Sequence, residues 1–461
     1  MLKKILCFAT ALSVAAVSFA SCKSKTDDKP KKAGETKTVT VEQDTVLETL
    51  TPTGDASQTK LALKDFGGAE ILYYSPLEPT NETKDKISTF QKTHNCKVKI
   101  SVGTGKIGED LNAAKAVGTA YDIIETDNSD FIEVFKTGLL NPQNEFISPA
   151  DLYTSEAPAN RGLNSAVLSK FTIGENIYAV GSSGSCDFYL LYYNKKLFKD
   201  IGFYDLYSLF VTGRFSTWSL NAMGSVNDYI SGTSLLQLPS LSDWFNIKAQ
   251  PVIGYEEGNF VSKFYNNETL AAAESYQNLI YGENPISIPK SGSYSFENGK
   301  AYMFIGTTSR YSELITKAAE KSVFDKNKEN LGCVPLPSDI NAGSLQSAAA
   351  VKVYSSMNGA ANPDAAACYA LFESRVTEQS GEDTVPVTVT DYIVNTFNSN
   401  GYVPELDFSA QDGKSSVCTI IDLIGMKLRD GNDHITAMST YMWQVDSIVK
   451  SALTDTSQSK K

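Results

Sequence analysis

Residues 69–74 read AEILYY, residues 97–102 read KVKISV and residues 121–125 read YDIIE, and these three segments decide the fold. Each is short and rich in β-branched or aromatic side chains, which predicts a buried or half-buried strand. Residues 83–94 and 109–117, which lie between them, have helical spacing. Strands separated by helices of this length predict βαβ units, a mainly parallel sheet and an α/β fold.

The rest of the chain continues this alternation. Residues 189–193 read YLLYY and predict another buried strand, which a helix at 195–200 follows. Other predicted helices are 131–137, 262–283, 309–322, 363–379 and 434–453, and predicted strand or hinge segments are 333–337 and 348–354. The 461 residues are enough for two or three domains. No Pro- or Ser-rich linker interrupts residues 66–453, which favours two lobes built from discontinuous segments.

The first 22 residues predict export. A short positive start with Lys3 and Lys4 precedes an uncharged apolar run at 5–19, which is too short to span a bilayer of about 30 Å. The small residues that follow end at Cys22 and resemble a bacterial lipobox, which would make Cys22 the lipidated N-terminus. An ordinary signal peptide is the alternative. Residues 23–65 are polar and predict a disordered linker, and residues 454–461 predict a polar tail.

Charge and composition exclude several classes of function. The formal net charge is −12, and an acidic surface repels nucleic acid and anionic lipid. The sequence contains only two histidines, His94 and His434. It therefore offers few candidate residues for a His-based metal site or a Ser-His-Asp triad. His94 lies in a polar run and is predicted to be exposed. We therefore expect no nucleic acid partner, no metal and no cofactor.

Two other chemical signals are weak. GTGKIG at residues 103–108 has the spacing of a dinucleotide fingerprint, but a glycine-rich turn between strand and helix fits an exported protein better. The 53 acidic residues leave paired carboxylates of a glycoside hydrolase open as an enzyme alternative. The cysteines after Cys22 are too scattered for a disulfide framework, although a single bridge stays open. They are Cys96, Cys186, Cys333, Cys368 and Cys418.

Five segments in order carry a resemblance to a known family. They are YDIIETD at 121–127 with GLLNP at 138–142, YAV at 178–180 with LLYYNKKLF at 190–198, GRFSTW at 213–218, FENGKAYMFIG at 296–306 and LGCVPLP at 331–337. Together they resemble the family 1 extracellular solute-binding proteins, the maltose-binding-protein-like receptors of bacterial ABC importers. The last 80 residues match the family poorly.

The resemblance implies a periplasmic-binding-protein-like fold with two α/β lobes, a hinge and an interlobe cleft. Residues 66–182 and about 346–400 would form lobe 1, and residues 183–345 and about 401–453 would form lobe 2. The implied function is a lipid-anchored, monomeric receptor on the extracytoplasmic face that captures a carbohydrate for ABC permease subunits and is not an enzyme. A surface glycan-binding protein without a transport role is the other alternative.

Ligand sites of such folds lie beyond the carboxyl ends of parallel strands. That rule selects Tyr74 and residues 126–129, although 126–129 could instead cap the next helix. The resemblance adds Asp187, because the family often has an acid where the chain crosses between the lobes. It also adds the segment after Gly306, where the family often has an aromatic platform for the ligand. Thr308 departs from that pattern, and Tyr311 could substitute for the aromatic residue. Trp244 is a further candidate, whereas Trp218 is expected in the core. The predicted ligand contacts are Tyr74, Thr126, Asp127, Asn128, Ser129, Asp187, Trp244, Thr308, Arg310 and Tyr311.

Overall fold

The structure is a computed structural model of the chain. It describes residues 37–40, 64–104, 106–118, 120–127, 130–147, 168, 171–181, 186–221, 223–224, 233–248, 252–256, 259–287, 295–316, 322–324, 327–340, 348–374, 384–400 and 417–454. Cys22, the expected signal peptide and most of the expected linker lie outside these residues.

The described chain contains thirteen strands and twelve α-helices. The strands are β1 (Lys37–Thr40), β2 (Ala69–Ser75), β3 (Cys96–Val102), β4 (Ile123–Asp127), β5 (Thr172–Ile173), β6 (Asn176–Ile177), β7 (Cys186–Asn194), β8 (Ser234–Gln237), β9 (Ile253–Glu256), β10 (Asn259–Ser262), β11 (Ala301–Thr307), β12 (Leu331–Pro335) and β13 (Ala348–Ser356). The helices are α1 (Asn81–His94), α2 (Ile107–Ala116), α3 (Phe131–Lys136), α4 (Lys195–Asp200), α5 (Leu206–Val211), α6 (Leu241–Ile247), α7 (Asn267–Tyr281), α8 (Arg310–Ile315), α9 (Pro363–Glu373), α10 (Val387–Asn400), α11 (Val417–Arg429) and α12 (His434–Thr454).

One mixed nine-stranded sheet organises the molecule. Its order is β1-β3-β2-β4-β13-β7-β11-β8, and β12 also pairs with β7. β2 is parallel to β3 and β4, as predicted from the sequence. β7 runs antiparallel to β11, β12 and β13, so the second half of the sheet departs from the mainly parallel prediction.

β13 joins the two halves of the sheet. Its residues 352–356 pair with β4 on one edge, and residues 348–351 pair with β7 on the other. Val351 and Val353 are fully buried, which fits a strand that carries the chain between two packed bodies. The region 348–354, predicted as a strand or hinge, is therefore a crossing strand.

Local sequence explains where the elements near β7 and β4 begin and end. Asn194 ends β7 and caps α4, because its Oδ1 accepts a hydrogen bond from the amide of Leu197 at 3.2 Å. Gly138 follows α3 with a φ of 67°, the left-handed conformation that favours glycine at a helix end.

Three expectations differ from the structure. Residues 37–40 lie in the expected disordered linker, but they form β1 and pair antiparallel with residues 99–102 of β3. α10 was expected in lobe 1, but it packs beside β12, and Thr388 shares a hydrogen bond of 2.8 Å with Tyr207 of α5. His94 is 1% exposed rather than open to solvent, because it packs against the Phe90 ring at 4.7 Å.

Of the helices in the described ranges, none combines the length and apolar character needed to cross a bilayer.

Candidate ligand site at the strand crossing

Strand pairing brings two of the predicted ligand contacts, Asp127 and Asp187, to the same face of the sheet beside β13. Lys352 of β13 lies opposite Asp127 of β4, and Ala350 lies opposite Asp187 of β7. Directly paired residues point to the same face, and residues two apart on one strand share a face. Asp127, Asp187, Ala350 and Lys352 therefore form one surface, which we call the crossing face. Its two acids lie on opposite sides of β13, two strand spacings apart across the sheet and offset by two residues along it, or about 12 Å apart.

The opposite face of the same strands is core. Thr126, Phe188, Val351 and Val353 alternate with the crossing-face residues, and each is at most 3% exposed. Thr126, a predicted ligand contact, therefore points away from the crossing face. Its hydroxyl is buried and has no hydrogen-bond partner among the described residues.

Asp187 is held by the end of β11. Its Oδ1 accepts hydrogen bonds from the Thr308 hydroxyl at 2.6 Å and the Ser309 amide at 2.9 Å, and its Oδ2 accepts one from the Ser309 hydroxyl at 2.7 Å. The Thr308 amide donates to the Phe188 carbonyl at 2.8 Å, which ties this turn to β7. The structure thus brings together Asp187 and Thr308, two of the predicted ligand contacts. It adds Ser309, which belongs to the segment after Gly306 but was not among the predicted contacts.

Asp127 lies at the carboxyl end of β4, as predicted, and is partly exposed. Its Oδ1 accepts a hydrogen bond from the Asp130 amide at 3.1 Å, so the side chain also orders the turn before α3. This bond does not cap α3, because it ends on the amide of the N-cap residue Asp130, and that N-cap makes no side-chain cap hydrogen bond. Asn128 and Ser129 lie outside the described residues.

Arg310 and Tyr311 belong to α8, next to this site. The Arg310 guanidinium forms ion pairs with Glu297 and Glu313, which gives it a structural role in the first turn of α8. The Tyr311 ring is partly buried, with its centroid 6.4 Å from that of Tyr192.

Tyr74 and Trp244 were predicted ligand contacts, but the structure places both in the core. Tyr74 is fully buried and donates its hydroxyl to Asp110 at 2.9 Å. Trp244 is 1% exposed, and its indole donates to the Ala272 carbonyl at 3.1 Å. Helices α2 and α7 cover these rings, so neither ring reaches a surface where a ligand could stack.

The turn at 103–108 packs against the same tyrosine. A Cβ added to Gly103 would lie 2.2 Å from the Tyr74 hydroxyl, so glycine permits this close approach. Asp110 then accepts hydrogen bonds from the amide and the hydroxyl of Thr104 at 2.7 and 2.9 Å. These contacts give Gly103 a packing role, in line with the glycine-rich turn favoured above.

Sequence reasoning missed Lys352 and Glu125. The Lys352 ammonium lies 2.9 Å from Oε1 of Glu125, and the Tyr73 hydroxyl donates to Oε2 of the same carboxylate. Burial and the nearby Glu125 charge raise the pKa of Tyr73 well above its usual value, so Tyr73 remains a donor. A signal for Lys352 was present, because it is the only charged residue in the segment AAAVKVYSS.

The crossing face therefore offers fixed acceptors, hydroxyl donors and one ammonium. No group of three or more His, Cys, Asp or Glu side chains suited to a metal ion occurs within the described part of the chain. A cavity of about 220 Å³, lined in part by Leu111, Tyr121 and Met357, lies at the other end of β4 and does not include the crossing face. This arrangement is suited to hydrogen bonding of a polar, uncharged ligand.

Comparisons with known proteins identify the family and the fold. A family model described as bacterial extracellular solute-binding protein matches residues 75–369. No curated protein matches the sequence significantly.

Several solved structures share the fold at low identity. The cyclic α-maltosyl-1,6-maltose binding protein of Arthrobacter globiformis has a TM-score of 0.60 at 16% identity, over 84% of this chain and 100% of that one. The sugar-binding protein MalE of Xanthomonas citri has a TM-score of 0.58 at 14% identity, over 83% and 98%. A Staphylococcus aureus extracellular solute-binding protein in complex with maltose has a TM-score of 0.58 at 12% identity, over 84% and 99%.

Proposed function

Because this chain belongs to the bacterial extracellular solute-binding protein family, we propose that it is the substrate-binding protein of an ABC importer and captures a carbohydrate between its two lobes. The family implies a location outside the cytoplasm. In this proposal the protein acts as a monomer, binds without catalysis and delivers its ligand to a pair of permease subunits.

The crossing face is the observation that carries the proposal. Asp127 and Asp187 lie on one face, on either side of the strand that joins the two halves of the sheet. Hinge closure around such a strand would bury a ligand held there. Both carboxylates are already oriented, by Asp130 in one case and by Thr308 and Ser309 in the other. They therefore lose little conformational entropy when sugar hydroxyls donate hydrogen bonds to them.

The ligand class draws support from the structural relatives. The Staphylococcus aureus protein was solved with maltose, and the Arthrobacter globiformis protein is a binding protein for a cyclic maltosyl sugar. We propose an oligosaccharide for this chain, because two acids about 12 Å apart can contact more than one sugar ring.

Calorimetric titration of single variants tests this site. Asp127→Ala and Asp187→Ala should each weaken sugar binding about 10- to 100-fold, since each removes a charged hydrogen-bond acceptor. Both variants should stay folded, because neither acid lies in the core. Asp200→Ala is the matched control, because Asp200 pairs only with Lys196 on the surface of α4 among the contacts described here, at 2.7 Å. Unchanged sugar affinity of both site variants, whether or not their melting temperature falls, would contradict the assignment.

We also propose that Cys22 carries a lipid anchor, because the small residues before it resemble a lipobox. One acyl chain binds a membrane only marginally, so durable anchoring needs the several chains of a bacterial lipoprotein. In the cell, Cys22→Ser should move the protein out of the membrane fraction while sugar affinity stays at the wild-type value. Retention of the variant in the membrane fraction would refute the anchor.

A further inference from the structure

We propose that Lys352 determines the sugar specificity of the crossing face. With Asp127 opposite, it forms a donor–acceptor pair that binds two adjacent hydroxyls of a neutral sugar. This inference rests on the proposed function, because it assigns a contact within the same ligand site.

The position of Lys352 follows from the register of three strands. It pairs directly with Asp127 on β4, and the neighbouring pair on the same face of β13 is Ala350 with Asp187. Cβ atoms of directly opposed residues are about 4.5–5.5 Å apart. Half of the Lys352 side chain is exposed, whereas Val351 and Val353 are fully buried. Alternation along β13 therefore delivers one ammonium to the crossing face.

Glu125 fixes the direction of this ammonium. The Glu125 side chain is 8% exposed and lies two residues before Asp127, on the same face of β4. One carboxylate oxygen accepts from Lys352, and the other accepts from the fully buried Tyr73. A lysine held in this way is a preorganised donor, so less rotamer entropy is lost when a ligand binds.

The chemistry of the pair selects the ligand. An ammonium only donates hydrogen bonds and a carboxylate only accepts them, so a sugar hydroxyl beside Lys352 acts as acceptor and its neighbour acts as donor to Asp127. Glu125 and Asp127 place two carboxylates beside one ammonium. This excess of negative charge repels a uronate or a sulfated sugar. The geometry therefore points to a neutral sugar with adjacent hydroxyls.

The test is binding of Lys352 variants to defined glycans. Wild type and variants are titrated with maltose, xylobiose, lacto-N-biose and a uronate-containing disaccharide. Lys352→Met should lose about 10- to 100-fold in affinity for the best neutral glycan, because a charged donor is removed. Lys99→Met is the matched control, since Lys99 is similarly exposed and pairs with Glu70 at 2.6 Å on β2 and β3, away from the crossing face. It should bind like wild type.

A double variant separates ligand contact from stability. Lys352→Met alone leaves Glu125 buried without its cation, which can weaken binding indirectly. Glu125→Gln combined with Lys352→Met removes both charges. If Lys352 contacts the ligand, the double variant stays folded by circular dichroism and remains as weak as Lys352→Met. Recovery of wild-type affinity would assign Lys352 a structural role and overturn the inference.

The remaining outcomes distinguish this inference from the function it rests on. Equal affinity of wild type and Lys352→Met overturns the inference and leaves the sugar receptor intact. Tighter binding of the uronate than of every neutral glycan also overturns it. Failure of the wild type to bind any glycan overturns the proposed function and the inference together.

Discussion

Glu373 is an acid whose environment makes stability depend on pH. It lies at the end of α9, is 5% exposed and accepts a hydrogen bond from the Tyr369 hydroxyl at 2.7 Å. Burial raises the pKa of Glu373 from 4.5 to about 7, although Tyr369 and Lys86 favour the charged form. The folded protein therefore prefers the protonated acid more strongly than the unfolded chain does.

The sign of the effect follows from linkage. The stabilising contribution of protonated Glu373 is fully present below the unfolded pKa of about 4.3 and is lost as the pH rises through about 7. We expect the free energy of unfolding to fall by about 3 kcal/mol between pH 5 and pH 8.5 from this group. Glu373→Gln should remove this pH dependence in urea unfolding. An equally steep fall in the variant would show that another group causes it.

At single residues, the sequence predicted chemistry better than orientation. Asp127 and Asp187 lie where strand ends and family resemblance implied. Tyr74 was wrong because Tyr73 and Tyr74 lie on a strand buried on both faces, and two adjacent tyrosines carry no sign of which surface is covered. Trp244 was predicted to contact the ligand, but α7 buries its indole ring. Local sequence does not indicate this, because the packing of α7 against α6 is a long-range contact. Ser309, in the segment after Gly306, was left out of the predicted contacts because its bond to Asp187 joins residues that are remote in sequence.

At the scale of elements, prediction worked where pattern and tertiary packing agreed. β2, β3 and β4 lie within a few residues of the predicted strands, because their apolar runs are buried in the sheet. β1 was missed because KTVT is short and polar on average, although its β-branched residues suit the open edge of β3. α10 was predicted in lobe 1 with residues 346–400, and its contact with β12 joins segments that are remote in sequence, so local pattern did not indicate it.

The pairing of β13 shows that local sequence pattern does not determine which strands lie side by side or in which register. Its partners, β4 and β7, lie more than 150 residues earlier in the chain, so register depends on the folded sheet. Once that register is known, the alternation in AAAVKVYSS places Lys352 beside Asp127 without further assumption. The sequence therefore predicted Asp127 and Asp187 individually. It did not predict that they share one face with Lys352, because that depends on strand pairing.

The whole molecule has the two-lobed α/β fold of its family, and the ordered motifs predicted it more reliably than they predicted individual contacts. Continuity of residues 66–453 indicated discontinuous lobes before any pairing was known. The β7 and β13 pairings show how the chain passes between the halves of the sheet. Closure about these strands is the step by which the proposed receptor would select its ligand.

One experiment in two parts tests the central claim most directly. The wild-type protein is titrated with neutral oligosaccharides in a calorimeter, and the sugar is then recovered and sized after prolonged incubation. We predict saturable binding at one site, with the sugar recovered intact. Absence of binding to every oligosaccharide would contradict the carbohydrate receptor, and release of shorter sugars would show that the protein is a hydrolase.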